Sequence, residues 1–246
     1  MSIEFKIIIP SMGRADSVVT TSAVKNAILC VPESEEKDYA EHNPGVEIFT
    51  HPDSVNGLAA KRQFILERCG NHYQIDDDVK NIQRVYTESG EETKLDADEA
   101  YDIIQYIGNC ANLAGCKVFG MGKEQNPLIY NEFKPISLTG AIMGSMGFIE
   151  GSKLYFHPKL SLCDDYWMCA LNAYLYRYLW IDNRFSEKVV PTFGNKGGCG
   201  HLRTIDAERD ETLLLRQCFG EAIVLKQDTV LAKRKFEYQR TLRVPF

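Results

Sequence analysis

The 246-residue chain has no stretch of eighteen apolar residues, so none of its segments is suited to crossing a bilayer as a helix. Its opening apolar stretch is too short for a secretory signal and lacks the basic flank and cleavage site. The cytoplasm is therefore the expected compartment, and no membrane partner is expected. No Cys-x-x-Cys occurs. The eight cysteines are scattered and read as buried or free thiols of a reducing compartment. Positive charge is in deficit, with 28 Lys and Arg against 34 Asp and Glu, a net charge of −6. That balance excludes a uniformly basic nucleic-acid coat, though not a local basic patch. The chain also lacks a G-x-x-x-x-G-K-[ST] loop and a G-x-G-x-x-G turn after its first strand, so neither an ATPase nor a dinucleotide enzyme is indicated. A G-x-S-x-G nucleophile elbow is missing too.

What is present is 44% hydrophobic and 25% charged, enough to bury one sizeable core. The first eighty residues alternate strand and helix signals. Strands are expected at Phe5 to Pro10, Ile28 to Pro32, Val46 to Phe49 and Tyr73 to Ile75, with helices over 15–27, 33–41 and 56–69. A βαβαβαβ pattern of this kind argues for a parallel sheet with right-handed crossovers, whose ligands gather at the carboxyl ends of the strands. Further along, Asp96 to Glu99 has the form of a capping box opening a helix with Ile103, Ile104 and Ile107 on one face. Lys117 to Gly120, Leu138 to Ile149 and Trp180 to Phe185 read as strands, and Gly151-Ser152 as a hairpin turn into Lys153 to Phe156. A helix is expected from Asp164 to about Leu179, and another from near Ala207. The expected class is one mixed α/β domain.

Asp76-Asp77-Asp78 is the strongest chemical signal. Three carboxylates directly after a buried strand repel one another, and a hard divalent cation bridging to phosphate oxygens would offset that repulsion. A helix N-terminus would also accommodate them, and on the triplet alone the two readings stand level. Asp164-Asp165 is a second acidic pair, readable as a helix cap or as a general base. His201 lies among glycines that permit close backbone approach. Arg14, in the turn after Pro10-Ser11, suits either a nucleotide diphosphate or a surface carbonyl. Tyr166 and Trp167 suit either a core or a stack on an extruded base.

These pieces fall in the order seen in GT-A glycosyltransferases. The strand ending in Ile9-Pro10-Ser11 opens the chain, and Asn56 to Gln63 resembles the family's Ala-Arg-Asn helix beside the donor nucleotide. Ile75 to Asp78 looks like its D-x-D motif, with Asp76 and Asp78 as the outer aspartates. Leu138 to Gly144 is similar to the glycine-rich strand near the donor sugar. Cys163-Asp164-Asp165 resembles the Glu-Asp motif that supplies the base, with Asp in place of Glu. His201 sits where a late metal-binding histidine is expected. The Ile-Ile-Pro-Ser-x-x-Arg-Ala opening looks most like the TET-associated glycosyltransferases, found largely in bacteriophages.

The resemblance implies a GT-A (nucleotide-diphospho-sugar transferase) fold, with a central, mostly parallel mixed sheet over residues 1–225 and a basic segment over 226–246. It implies Mn²⁺ or Mg²⁺ on Asp76, Asp78 and His201, and a nucleotide-sugar donor, a UDP-sugar first among them. Pro10, Ser11, Arg14, Asn56, Lys61, Arg62, Asp76, Asp77 and Gly140 would hold that donor. Asp165 would be the base of an inverting transfer, with Asp164 in reserve, and the acceptor a hydroxymethylated pyrimidine of DNA such as 5-hydroxymethylcytosine. Lys226, Lys233, Arg234, Lys235, Arg240 and Arg243 outnumber Asp228 and Glu237 in the final segment, a charge of +4 that suits phosphate contacts. A small-molecule, protein or envelope-glycan acceptor remains open at this stage, as does a non-catalytic DNA- or sugar-binding module.

Overall fold

The computed structural model describes residues 2–89, 91, 93–190, 204–225, 238 and 240–243. Its organisation starts from β1 (Lys6–Pro10), which carries three successive isoleucines. A strand points alternate side chains to opposite faces. Ile7 and Ile9 accordingly enter one apolar cluster with Phe5, Tyr39 and Ile104, while Ile8 enters another with Cys30, Phe64 and Ile65. A strand that is apolar on both faces has to be covered on both, and helices supply the cover.

After β1 come β2 (Ala27–Pro32), α1 (Glu36–His42), β3 (Glu47–His51), α2 (Leu58–Arg68) and β4 (His72–Gln74). Then follow β5 (Val79–Arg84), β6 (Thr93–Lys94), α3 (Ala97–Leu113), β7 (Val118–Met121), β8 (Ile136–Ser137) and β9 (Met146–Phe148). The described chain ends with α4 (Asp164–Tyr176), β10 (Trp180–Asp182), β11 (Phe185–Val189), α5 (Ile205–Phe219), β12 (Ile223–Leu225) and β13 (Arg240–Leu242).

The main sheet has the order β3-β2-β1-β4-β9-β7-β10-β8. Its first four strands are parallel, β9 runs antiparallel to both β4 and β7, β10 is parallel to β7, and β8 closes the edge antiparallel. This is the mixed, mostly parallel α/β architecture that the sequence predicts. Because β2 and β4 flank β1 on opposite sides, the strand order switches at β1, and such a switch opens a crevice at the carboxyl ends. Gly147 makes the crowded centre of the sheet possible. A Cβ there would stand 2.0 Å from Phe119 Cζ. The α3 helix begins with the expected capping box, Asp96 Oδ1 accepting from Glu99 N–H and Glu99 Oε2 from Asp96 N–H.

Four local expectations are corrected. Residues 15–27 form two short 3₁₀ turns, Ala15–Ser17 and Thr20–Ser22, because the β-branched run Val18-Val19-Thr20-Thr21 disfavours a helix and Thr20 is engaged elsewhere. Of Leu138 to Ile149, only Met146–Phe148 is a strand; Gly140 and Gly144, at φ +131° and +74°, turn the preceding backbone. Lys153 to Phe156 pairs with no strand, since its backbone bonds to side chains: Lys153 N–H to Tyr176 Oη, Phe156 N–H to Gln63 Oε1, and Tyr155 O from Trp167 Nε1. A turn at Asn183-Arg184 splits the expected Trp180 to Phe185 strand into β10 and β11, which belong to different sheets.

Candidate active site

Asp76, Asp77 and Asp78 occupy the link from β4 to β5, with no helix after them, which removes the helix-capping reading of the triplet. All three of their carbonyls are captured: Thr20 Oγ1 donates to Asp76 O at 2.6 Å, Val19 N–H to Asp77 O at 3.1 Å and Val190 N–H to Asp78 O at 2.8 Å. Buried backbone acceptors have to find donors, and here the donors fix where each carboxylate goes.

The three carboxylates then take separate surroundings. Asp77 turns inward, accepting from Ser11 Oγ at 2.6 Å and from Arg14 Nη1 at 2.6 Å. Ser11 also meets the Tyr39 hydroxyl at 2.7 Å, so Asp77 ties the ends of β1 and β4 together across the switch point. Asp76 faces α2, where Arg62 Nη2 donates to its Oδ1 at 2.6 Å. Asp78 is hydrogen-bonded to no other side chain among the described residues, and burial, with Asp76 and Asp77 adding, pushes its carboxyl up to about 6.

Arg62 is the hub. Its side chain is 3% exposed, and its Nη1 donates to Gly144 O at 3.1 Å and stands 3.0 Å from Asp164 Oδ2. Burial opposes its charge, but Asp164, Asp76 and Asp165 outweigh that and keep it cationic. Lys61, its neighbour on α2, is buried and donates to Ser11 O at 2.5 Å. Arg62, Asp76, Asp164 and Asp165 line one cleft of about 210 Å³ with Leu58, Gly144, Ser161 and Leu162. The acidic pair forms the first turn of α4, and Asp165 Oδ1 accepts from Tyr166 N–H at 2.7 Å. Burial first and Asp164 second push Asp165 up to about 7, against the Tyr166 bond, Arg62 and Arg240.

The other residues of the expected donor set lie further out or play other parts. Pro10 ends β1 and is buried; Asn56 is exposed ahead of Gly57, which opens α2 at φ +89°. Gly140 packs near Ile181, whose Cδ1 would lie 3.5 Å from an added Cβ. Trp167 is a core residue, 3% exposed, edge-on to Phe219 and donating to Tyr155 O. It has no face free for a base. Arg240 is buried in an ion pair with Glu208 and is not one of the segment's surface cations. His201, Lys226, Lys233, Arg234 and Lys235 lie outside the described residues.

Three contributors escaped the sequence reading. Ser161 and Leu162 carry no motif. Glu187 on β11 accepts from Tyr73 Oη at 2.8 Å and hydrogen-bonds Ser145, whose Oγ accepts from Asp76 N–H at 3.3 Å. Burial raises Glu187 to about 7, with Asp76 and Asp78 adding to the effect. Only the pairing of β11 with β5 brings it under the aspartates.

The donor chemistry suits a hard divalent cation. Magnesium-type sites commonly use one or two carboxylates and leave the other positions to water and phosphate oxygen. Asp78 and the second oxygen of Asp76 are the carboxylates of the β4–β5 link that could act in this way. No cluster of three or more metal-binding side chains forms among the described residues.

The family model for the TET-Associated Glycosyltransferase matches residues 5–198. No curated protein matches the chain. Solved structures similar to it include S. aureus TarS 1-349, with TM-score 0.45, 10% identity, and coverage of 74% of this chain and 60% of that one. Another structure of S. aureus TarS gives TM-score 0.42 and 10% identity, covering 86% of this chain and 39% of that one. This chain thus spans 60% and 39% of the lengths of those two proteins. No helix among the described residues is long and apolar enough to cross a membrane. The family match runs over most of the sequence and includes the whole of the cleft, and the chain belongs to the TET-associated glycosyltransferases.

Proposed function

We propose that this chain transfers a sugar from a nucleotide-sugar donor, a UDP-sugar first among the choices, to the hydroxyl of a hydroxymethylated pyrimidine in DNA. The observation that carries the reading is Arg62, which joins Asp76 at the end of β4 to Asp164 at the start of α4 across one cleft. A donor anchored on the β4 side would then face a base on the α4 side.

Asp165 is the base. Held near neutrality by burial and by Asp164, it accepts a proton at pH 7 to 8 without being so weak a base that it cannot act. The acceptor oxygen bonds to the anomeric carbon as the bond to the nucleotide diphosphate breaks, and the hydroxyl proton passes to Asp165. Asp164 stays paired with Arg62 and keeps that guanidinium aimed at Asp76. Ser11, Arg14 and Lys61 shape the crevice at the end of β1 where a nucleotide would lie. When bound, a divalent cation on Asp76 and Asp78 would neutralise negative charge growing on the departing diphosphate. Membership of the TET-associated family supports the choice of a DNA acceptor, and a base within a duplex would have to be extruded at a cost of about a few kcal/mol.

The test is a transfer screen with purified protein, Mn²⁺, a panel of nucleotide sugars and hydroxymethylcytosine-containing DNA, read by nucleoside mass spectrometry. A sugar-sized mass gain on the modified nucleoside is the expected result. Donor hydrolysis with unmodified DNA would remove the DNA acceptor, and inertness toward every donor would remove the transferase reading.

A further inference from the structure

The stretch after the family-matched residues 5–198 contains α5, and α5 buries a carboxylate against the wall of the cleft. Glu211 is 7% exposed in a region packed with Leu160, Leu162 and Leu215. Its Oε1 accepts from Ser161 N–H at 2.7 Å and from Leu162 N–H at 3.2 Å, and its Oε2 accepts from Leu162 N–H at 3.0 Å. The Cys163 thiol bonds to it as well. A carboxylate taken out of water is costly unless its lone pairs are filled, and these are filled by the residues that lead straight into Asp164 and Asp165. Ser161 and Leu162 themselves line the cleft.

A second tie comes from the same C-terminal unit. Arg240 on β13 pairs with Glu208, one turn before Glu211 on α5, and its carbonyl accepts from Tyr166 Oη at 2.9 Å. The guanidinium of Arg240 lies 5.5 Å from the Tyr166 ring centre. The start of α4 is therefore gripped on both sides of the acidic pair, at 161–163 and at 166, by elements outside the family match.

We propose that Glu211 is a positioning residue for transfer: it holds the 161–163 turn so that Asp165 faces the acceptor hydroxyl. This rests on the function proposed above. The experiment compares the full chain with Glu211→Ala, Glu211→Asp, Glu211→Gln and Ile223→Ala, using UDP-glucose and hydroxymethylcytosine DNA. Glu211→Asp keeps the charge but withdraws the carboxylate by one methylene, so it serves where the alanine variant does not fold. Glu211→Gln keeps an oxygen able to accept from both amides. Ile223→Ala empties a buried position of the same cluster with no bond to the turn.

At a temperature where every variant is folded, kcat is expected to fall at least tenfold in Glu211→Ala and Glu211→Asp, with KM for UDP-glucose within twofold. Glu211→Gln is expected to stay within threefold of the parent, and Ile223→Ala to keep kcat despite its lower melting temperature. Full kcat in Glu211→Ala or Glu211→Asp, or an equal loss in Ile223→Ala, would overturn the proposal. A parent chain that transfers no sugar from UDP-glucose or from any other donor of the panel defeats the proposed function instead. In that case amide exchange decides the positioning: faster exchange at Ser161 and Leu162 in Glu211→Asp than in Ile223→Ala sustains it, and equal exchange refutes it.

Discussion

Replacing Arg62 with methionine removes a cation that touches both sides of the cleft while leaving most of its buried volume filled. The pair with Asp164 is buried on both sides, at 3% and 8% exposure, whereas Asp76 keeps 33% of its side-chain surface in water. Stripping one partner from a buried pair costs about 3–5 kcal/mol, because the other charge is left without compensation. The exposed pair with Asp76 adds less than about 1 kcal/mol after solvent screening. Against a typical stability of about 5–15 kcal/mol, the variant should still fold at pH 8, near the lower margin. The loss should depend on pH. Arg62 helps to hold the Asp165 carboxylate ionised, and at pH 5.5 Asp165, with its value of about 7, is already largely protonated and has less charge to lose compensation for. One unit of raised carboxyl pKa is worth about 1.4 kcal/mol, so the destabilisation should shrink by up to about that amount between pH 8 and pH 5.5. Adding Asp164→Asn to the methionine variant removes the orphaned charge and should restore about 1–3 kcal/mol, a coupling of the size seen between residues in contact. Urea unfolding followed by the fluorescence of Trp167 and Trp180 at the two pH values measures all of this. A loss under about 1 kcal/mol, a loss equal at both pH values, or further destabilisation by Asp164→Asn would refute the account of a buried Arg62–Asp164 pair.

Asp165→Asn should lower transfer by about 10²–10⁴-fold, the range for a general base. Because the native carboxyl is strained toward its neutral form, the same variant should melt no lower than the parent at pH 8, and a fall in melting temperature there would contradict its burial. Asp78, Asp165 and Glu187 all have folded pKa values raised to about 6 or 7, above their unfolded values, so the folded chain binds more protons than the unfolded one between about pH 4 and 7. Their stabilising contribution is complete below pH 4 and is lost as pH rises through 6 to 7. The melting temperature should therefore be higher at pH 5.5 than at pH 8, and Mn²⁺ with UDP should narrow the gap by favouring ionised Asp78. A melting temperature that rises with pH would show that other groups dominate. Gly147→Ala should fail to give soluble protein or lose more than about 3 kcal/mol, since overpacking costs typically 1–3 kcal/mol and this Cβ would overlap the Phe119 ring; a parent-like denaturation midpoint would refute that close approach.

Local chemistry made much of this molecule legible in its sequence. The isoleucines of β1 need cover on both faces, whatever surrounds them, and the capping box of α3 is a short-range pattern that needs nothing beyond its own four residues. The acidic triplet and the acidic pair were visible for the same reason, being contiguous. Tertiary structure alone decided how those carboxylates divide. Nothing local says that Asp77 turns back to Ser11 and Arg14, that Asp76 meets an arginine fourteen residues earlier, or that the hydroxyl of Thr20, in a stretch read as helix, holds the backbone of Asp76. Glu187 and Glu211 were invisible in the sequence because an isolated glutamate looks like any solvated one. They acquire meaning only when β11 pairs with β5 and α5 packs beside the start of α4, which puts a buried charge next to donors far away along the chain. Backbone propensity acts over a few residues, whereas the cost of an unpaired buried charge is settled by whatever the fold brings within hydrogen-bond reach.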